Sequence, residues 1–212
     1  MHLTRGVGMT VFEHMIVDCP PFQAADVGAE ILRRGSASAG RLFGVFSPQI
    51  GLSVNRLVIL TEFPGADSIP AGPSALLDAL PVTVEQRELW EPAPRPTAGE
   101  SLTDAGGYYS HRRFDCRLED WPRFQELSVT AWDNFEDVHD TRVVGFWRAV
   151  TPPAPGLVRV WLMAWYRDLA AWEGSRWYQA SPDPAAKAAF ERFRERRTLT
   201  VDSAVSILRR GT

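Results

Sequence analysis

Two histidines recur at matching places in the chain and are its first candidates for chemistry. His14 lies in the string EHMIVDC and His111 in SHRRFDC, so that His, Asp and Cys each recur 97 positions later. An unperturbed histidine titrates near pH ~6.5 and can therefore take up and release a proton at neutral pH. His14 and His111 are the predicted catalytic acid/base residues. The alternative is that both are structural histidines kept from an ancestral single copy.

A second set of residues predicts a ligand-binding surface. In LVRVWLMAWY, residues 157–166, large or charged residues alternate with small aliphatic ones. The large set is Arg159, Trp161, Met163 and Trp165. Alternate residues of a strand share one face, and an arginine among wide rings suits an aromatic or carboxylate-bearing ligand. With Trp147 they form the predicted ligand-binding set. The alternative is that the rings fill a core while Arg159 pairs with a carboxylate at its rim.

Other chemistries have less support in the sequence. His139 lies in WDNFEDVHD among acidic residues, but no second histidine stands four positions away, so no metal site is predicted. The two cysteines, Cys19 and Cys116, are too few for a thiolate zinc site and are expected to be free thiols. The chain has no recognisable nucleophile motif and no phosphate-binding glycine loop. We therefore expect neither a metal nor a nucleotide cofactor.

Charge and hydropathy limit the partners. The net charge is −3 and the pI about 5.8, without a basic cluster, whereas binding to nucleic acid needs clustered Lys and Arg. The first residues, MHLTRGVGMTVF, lack the apolar stretch of a signal peptide. The longest apolar stretch, residues 156–166, is too short to span a bilayer. The expected protein is cytoplasmic and binds neither nucleic acid nor membrane.

The elements that must position these residues come in two copies. RLFGVF at residues 41–46 matches RVVGFW at residues 142–147, in the same order as the histidine strings. Each copy predicts strand, helix, strand, strand, helix, strand, with a short helix over residues 73–80 in the first copy and an extra helix over 184–197 in the second. The predicted division is a first half at 1–91, a Pro/Gly-rich linker at 92–106 and a second half at 107–212.

Several of these segments resemble one known family. GVFSPQIGLSVNRLVIL, residues 44–60, resembles the NIPSNAP hairpin, in which G-Y-F-x-x-x-I-G-x-x-N-x-V precedes the third strand. LVRVWLMAWYRDLAAWEGSRW, residues 157–177, is similar to that family's third strand and its D-S-L-A-x-R-E helix. The opening strands are similar to Y-E-L-R-T-Y-T, with matches at Phe12, Glu13, Tyr109 and Arg112. The second hairpin departs from the pattern, because its turn TPPAPG lacks the Ile-Gly and the Asn.

The resemblance implies both a fold and a function. NIPSNAP domains belong to the dimeric α/β-barrel superfamily, which implies an α+β fold: two tandem ferredoxin-like halves whose antiparallel sheets pack face to face as a pseudo-dimeric α/β barrel. A small apolar or aromatic ligand would then bind between the sheets. The expected protein is an enzyme using acid/base chemistry for oxygenation, cyclisation or isomerisation. The alternatives are a haem-binding protein or haem enzyme, and a non-catalytic ligand-binding or interaction domain. Two such chains could pair further as a homodimer of pseudo-dimers.

Overall fold

The computed structural model of the chain describes residues 10–35, 40–72, 75–102, 106–176 and 183–211. Within these ranges, the strands are β1 (Val11–Asp18), β2 (Arg41–Ile50), β3 (Arg56–Phe63), β4 (Thr83–Pro92), β5 (Tyr108–Arg117), β6 (Thr141–Ala149), β7 (Leu157–Tyr166) and β8 (Thr200–Arg210). The helices are α1 (Ala24–Arg34), α2 (Trp121–His139), α3 (Leu169–Gly174) and α4 (Pro184–Thr198). No helix in the described part of the chain has the length and apolar character needed to cross a membrane.

All of these strands belong to one closed antiparallel barrel in the order β1-β3-β2-β8-β5-β7-β6-β4. The first half contributes β4-β1-β3-β2 and the second half β8-β5-β7-β6, which is the same ferredoxin-like order. The two sheets join at both edges, where β2 pairs with β8 and β4 pairs with β6. The predicted fold class is confirmed: two tandem ferredoxin-like halves form a pseudo-dimeric α/β barrel.

The recurring aspartates of the two opening strands make equivalent ion pairs. Asp18 at the end of β1 accepts a 2.7 Å hydrogen bond from Arg56 at the start of β3. Asp115 on β5 accepts two hydrogen bonds, of 2.8 and 2.9 Å, from Arg159 on β7. Each pair joins the first strand of a half to its third strand. The repeat in the sequence is therefore also a repeat of contacts.

The recurring glycines of the second strands also have a common explanation. On β6 the ring of Trp147 folds back over Gly145, so closely that a Cβ atom built on Gly145 would lie 1.7 Å from Trp147 Cη2. On β2 a Cβ atom on Gly44 would lie 2.7 Å from the ring of Phe46. Residues two apart share a face of a strand, and only glycine leaves room there for the neighbouring ring. RLFGVF and RVVGFW match because both strands use this arrangement.

The alternation of each strand produces an inner and an outer layer of core. Buried apolar residues from both halves meet inside the barrel; they include Phe12, Leu60, Tyr109, Trp161 and Leu208. A second cluster lies between the first sheet and α1, and a third between the second sheet and α2. The protein thus has one core shared by the two halves and one outer core for each half.

Outside the barrel the two halves differ. The helix predicted over residues 73–80 is a single 3-10 turn at Ala75–Leu77, and residues 73–74 lie outside the described residues. The turn does not extend because Ala79 has a positive φ of 59° and Pro81 follows. In the second half α2 and α4 lie together over the sheet, with α3 at its end. This extra helical layer covers only the second sheet.

Candidate functional site

The two predicted catalytic histidines meet inside the barrel. His14 is on β1 and His111 on β5, strands that lie opposite each other in the closed order. Their ring centroids are 5.1 Å apart. Trp161 contacts both, with its centroid 4.4 Å from that of His14 and 3.8 Å from that of His111. The repeat and the strand alternation together place three of the predicted site residues in one cluster, and the histidine face of each opening strand is the inner one.

The environment of the histidines is dry. His14 is 3% exposed, and neither of its ring nitrogens has a hydrogen-bond partner among the described residues. Burial lowers the pKa of His14 to about 3. The pKa of His111 is also lowered, first by burial and then by the charge that His14 would carry. Both imidazoles are therefore neutral at pH 7 and weak as bases.

Aromatic rings fill the space around the histidines. Trp147 lies 4.9 Å from Trp161 between ring centroids, and Trp90 lies 5.7 Å from it on the other side. Met163 is fully buried in the same cluster. Trp165 is half-buried at the end of β7, where its indole N–H donates to the Gly106 carbonyl at 2.6 Å. The predicted ligand-binding rings thus line the barrel interior and pack mainly against each other.

Arg159 is held by acidic neighbours. Besides its two hydrogen bonds to Asp115, its guanidinium lies 3.5 Å from a Glu88 oxygen. The hydrogen bond to Asp115 is the main reason that the pKa of Arg159 is raised. These contacts, and the equivalent Asp18–Arg56 pair in the first half, are those expected if Arg159 pairs with a carboxylate at the rim of the core. The ligand-binding role of Arg159 stays a prediction.

A large cavity lies elsewhere, outside the barrel. It has a volume of about 570 Å³ and lies between the outer face of the second sheet and the helices α2 and α4, with part of its rim open to solvent. Its apolar walls are mainly aromatic; they include Phe114, Trp132, Phe135, Tyr166, Phe190 and Phe193. We call this space the helix-side cavity. Its volume falls within the range of roughly 300–1,000 Å³ that is usual for small-molecule sites.

The polar part of the helix-side cavity is dominated by arginines. Among the described residues its lining contains five of them, Arg112, Arg176, Arg194, Arg196 and Arg197, and one acidic residue, Glu191. Glu191 pairs with Arg194 at 2.8 Å, and both side chains are exposed. The other guanidiniums in the lining therefore cannot depend on this carboxylate alone for charge compensation.

Arg196 is the most deeply placed of these arginines. It is 6% exposed, and its guanidinium lies over the rings of Phe114, Phe124 and Phe193 at 4.7 to 5.5 Å. It donates one 3.2 Å hydrogen bond to the Ser128 hydroxyl, while its Nε has no partner among the described residues. Burial, aided by repulsion from Arg112, lowers the pKa of Arg196 to about 9. Arg196 still carries its charge at pH 7, in a largely apolar setting.

Arg112 lies on β5 beside this buried charge. It shares the outer face of the strand with Ser110 and Phe114, both of which also line the helix-side cavity. Burial lowers the pKa of Arg112, and the positive charge of Arg176 lowers it further against an opposing effect of Tyr166. Among the described residues, no carboxylate lies within ion-pair distance of Arg112 or Arg196; the nearby acids pair with other arginines.

Sequence reasoning missed this cavity, although a signal was present. The α4 sequence PAAKAAFERFRERRT places Arg196 three residues after Phe193, on the face that should be apolar. In SHRRFDC, alternation places Arg112 with Phe114 on the face opposite His111. An arginine in the buried stripe of two elements is the pattern that would have indicated a charged pocket.

The remaining candidates are accounted for by packing. His139 ends α2, with its ring 5.3 Å from that of Phe135 and 6.3 Å from that of Phe190, behind the wall of the helix-side cavity. No group of three or more His, Cys, Asp or Glu side chains suited to a metal occurs among the described residues. Cys19 and Cys116 are buried free thiols, and burial raises the pKa of Cys116 to about 11.

The described residues of the two candidate sites do not suit haem. Haem iron is held by His, Cys, Met or Tyr, and of these the described lining of the helix-side cavity contains only the buried phenol of Tyr166. His14 and His111 have Trp161 against their rings, so iron could not approach them without displacing it. The described residues of these two sites therefore offer no accessible axial ligand other than Tyr166.

Comparison with known proteins gives the fold but no family. No protein-family model and no curated protein matches the sequence. Among solved structures, a candidate monooxygenase from Lactobacillus acidophilus is similar with a TM-score of 0.63 at 11% identity, covering 96% of this chain and 95% of that one. A candidate chlorite dismutase has a TM-score of 0.56 at 10% identity, covering 96% and 95%. An anthrone oxidase-like protein has a TM-score of 0.53 at 12% identity, covering 95% and 90%.

These similarities run over nearly the whole length of each chain, so the relationship is one of complete architecture. At 10 to 12% identity they show the fold alone. The neighbours include a ferredoxin-fold protein related to antibiotic biosynthesis monooxygenases. The chain therefore has the ferredoxin-like dimeric α/β-barrel fold, and the finer resemblance to NIPSNAP stays a prediction.

Proposed function

We propose that this protein is an enzyme acting on a small, largely aromatic molecule that binds in the helix-side cavity. The observation that carries the proposal is the cavity itself, about 570 Å³ between the second sheet and α4, with aromatic walls. A pocket of this size and lining can take up a two- or three-ring compound against its aromatic walls. The names of the solved neighbours, a monooxygenase and an oxidase-like protein among them, agree with small-molecule chemistry on this fold.

The chemistry available in the helix-side cavity is stabilisation of negative charge. A guanidinium at an apolar wall interacts strongly with an oxyanion, because little water screens the two charges. Arg112 would therefore favour the enolate or phenolate form of a bound ketone or phenol. Oxygenation, cyclisation and isomerisation of aromatic compounds can each proceed through such an anion. The reaction stays open among these three, and non-catalytic binding of the same ligand is the alternative.

The site between the sheets is a second candidate, favoured by the contact of His14, His111 and Trp161. It retains the predicted roles of the histidines as proton shuttle and of Trp147, Trp161 and Met163 as ligand contacts. Two features weigh against it. The rings pack against each other, so a ligand must displace them, and the low pKa of His14 makes it a poor base near neutral pH.

A cavity-filling substitution distinguishes the two candidates. Val205 lines the helix-side cavity from β8 and is 37% exposed, so Val205→Trp places a large ring in the cavity without burying it in the core. Val201, on the same strand and 57% exposed, lies outside the lining and provides the matched control Val201→Trp. The probe is 2-naphthamide, a neutral fluorescent two-ring compound, supplemented by mass spectrometry of small molecules that co-purify with the protein.

We expect the wild type and Val201→Trp to bind 2-naphthamide alike, and Val205→Trp to bind at least about tenfold more weakly, a change of about 1.4 kcal/mol. Loss of the co-purifying molecules from Val205→Trp alone would support the same site. Equal affinity in all three proteins would contradict the proposal. A loss confined to Trp161→Ala would move the site to the barrel interior.

A further inference from the structure

The charge of Arg196 has too little compensation within the described structure. Removing a guanidinium from water costs several kcal/mol unless ion pairs and hydrogen bonds replace the lost hydration. Arg196 has three ring faces and one serine hydroxyl in their place, and its buried Nε has no partner. Ring faces and a hydroxyl recover only part of the cost. A group that accepts hydrogen bonds and carries negative charge is missing from this position.

The neighbouring positive charges further destabilise the charged form of Arg196. Arg112 and Arg176 line the same cavity, and each side chain of the series Arg176, Arg112, Arg196 is close enough to disfavour the charge of the next. Three like charges around one apolar space repel each other, and among the described residues no carboxylate offsets the charges of Arg112 and Arg196.

We propose that the Arg112–Arg196 end of the helix-side cavity is an oxyanion subsite, and that the natural ligand is an aromatic carboxylate. Its rings would lie against Phe135, Phe190 and Phe193, and its carboxylate against the two guanidiniums. This assignment rests on the proposed function and adds a substrate class to it. Guanidinium suits a carboxylate because its planar pairs of N–H donors match the two oxygens. The extensive aromatic lining favours an organic acid over a compact inorganic anion such as phosphate.

Two isosteric probes test the subsite. 2-Naphthoate and 2-naphthamide have the same rings and nearly the same shape, but only the first carries a charge at pH 7. We expect the wild type to bind 2-naphthoate at least about tenfold more tightly than 2-naphthamide, since hydrogen bonds between charged groups are stronger than those to a neutral amide. Arg112→Gln should remove this preference, because it should weaken the binding of 2-naphthoate more than that of 2-naphthamide.

The strand offers a matched control for the loss of a positive charge. Arg113 is adjacent to Arg112 but lies on the opposite face of β5, where it pairs with Asp202 at 2.8 Å. Arg113→Gln should keep the preference for 2-naphthoate, because its charge does not reach the helix-side cavity. Should Arg112→Gln not fold, the wild type still provides a test: 2-naphthoate should raise its thermal midpoint more than 2-naphthamide does at equal concentration.

Each outcome separates the subsite from the proposed function. If the wild type binds the two probes equally and Val205→Trp weakens both, the cavity binds ligands but the oxyanion subsite is wrong. If the preference for 2-naphthoate persists in Arg112→Gln, or is lost equally in Arg113→Gln, the assignment to Arg112 is overturned. If neither probe binds the wild type, the proposed function and the subsite both fail.

Discussion

At the scale of single residues, the structure separates two kinds of buried polar group. Asp18 and Asp115 recur in the sequence because each anchors an arginine of a neighbouring strand. His14 and His111 recur as well, but aromatic rings contact both, and neither the His14 nitrogens nor His111 Nε2 has a hydrogen-bond partner among the described residues. Arg112 and Arg196 do not belong to the repeat and are specific to the second half. The aspartates that recur in both halves therefore support the fold. The candidate cavity is marked instead by arginines of the second half that have no carboxylate partner among the described residues.

The buried histidines should make the protein sensitive to acid. His14 titrates at its ordinary pKa of 6.5 when unfolded and at about 3 when folded, so between these values the unfolded chain binds a proton that the folded chain does not. The stability associated with neutral His14 is therefore fully present above pH 6.5 and is lost as the pH falls towards 3. The loss is about 2 kcal/mol at pH 5. The lowered pKa of His111 acts in the same direction.

Urea unfolding at pH 7.5 and pH 5 measures this effect. The free energy of unfolding of the wild type should fall between the two values, and that of His14→Gln should fall by less. Effects of distant groups are common to both proteins and cancel in the comparison, whereas His111, whose pKa is lowered partly by His14, contributes to the difference. Equal pH dependence in the wild type and in His14→Gln would show that His14 is protonated without cost in the folded state.

At the scale of strands and helices, a repeated glycine determines how the barrel interior packs. Gly145→Ala puts a Cβ atom where the Trp147 ring lies, and this ring in turn contacts Trp161 and Phe12. Overpacking of this kind usually costs about 1–3 kcal/mol of stability. Gly174→Ala is the control, since nothing lies within 4 Å of its Cβ position. Urea unfolding of Gly145→Ala that matched that of Gly174→Ala would mean that the ring moves aside freely.

The elements themselves were largely predictable from the sequence, and the reasons are local. Period-2 alternation identified the strands, and the two repeated strings placed His14 and His111 at equivalent positions. The sequence left open which face of the opening strands turns inward, so the contact of both histidines with Trp161 was not predicted. The 3-10 turn at Ala75–Leu77 was wrongly predicted as a longer helix. Alanine usually favours a helix, so the sequence does not indicate that Ala79 has a positive φ. The helix-side cavity was missed because Arg112 and Arg196 are far apart in the chain, and a lone arginine usually indicates a solvated surface.

At the scale of the whole molecule, the barrel makes the two halves depend on each other. The interior cluster takes residues from both sheets, and the halves are connected through the β2–β8 and β4–β6 seams. A single half would expose its inner rings together with two unpaired strand edges. Large apolar patches and free edges of this kind lead to association. The described lining of the helix-side cavity, by contrast, comes from the second half alone. The proposed ligand therefore binds to the outer face of the second sheet, whereas the first half packs against its inner face.

Expressing residues 103–212 alone tests this dependence. The fragment would expose Tyr109, Trp147, Trp161 and Met163, which the first half covers in the intact chain. We expect it to aggregate or to form a dimer in which two copies pair through their β6 and β8 edges. Co-expression with residues 1–102 should restore a soluble one-to-one complex, because that fragment supplies the missing sheet. Light scattering after size-exclusion chromatography measures the outcome. A folded, monodisperse monomer of residues 103–212 would show that the second half is complete by itself, and the shared core would then add little to its stability.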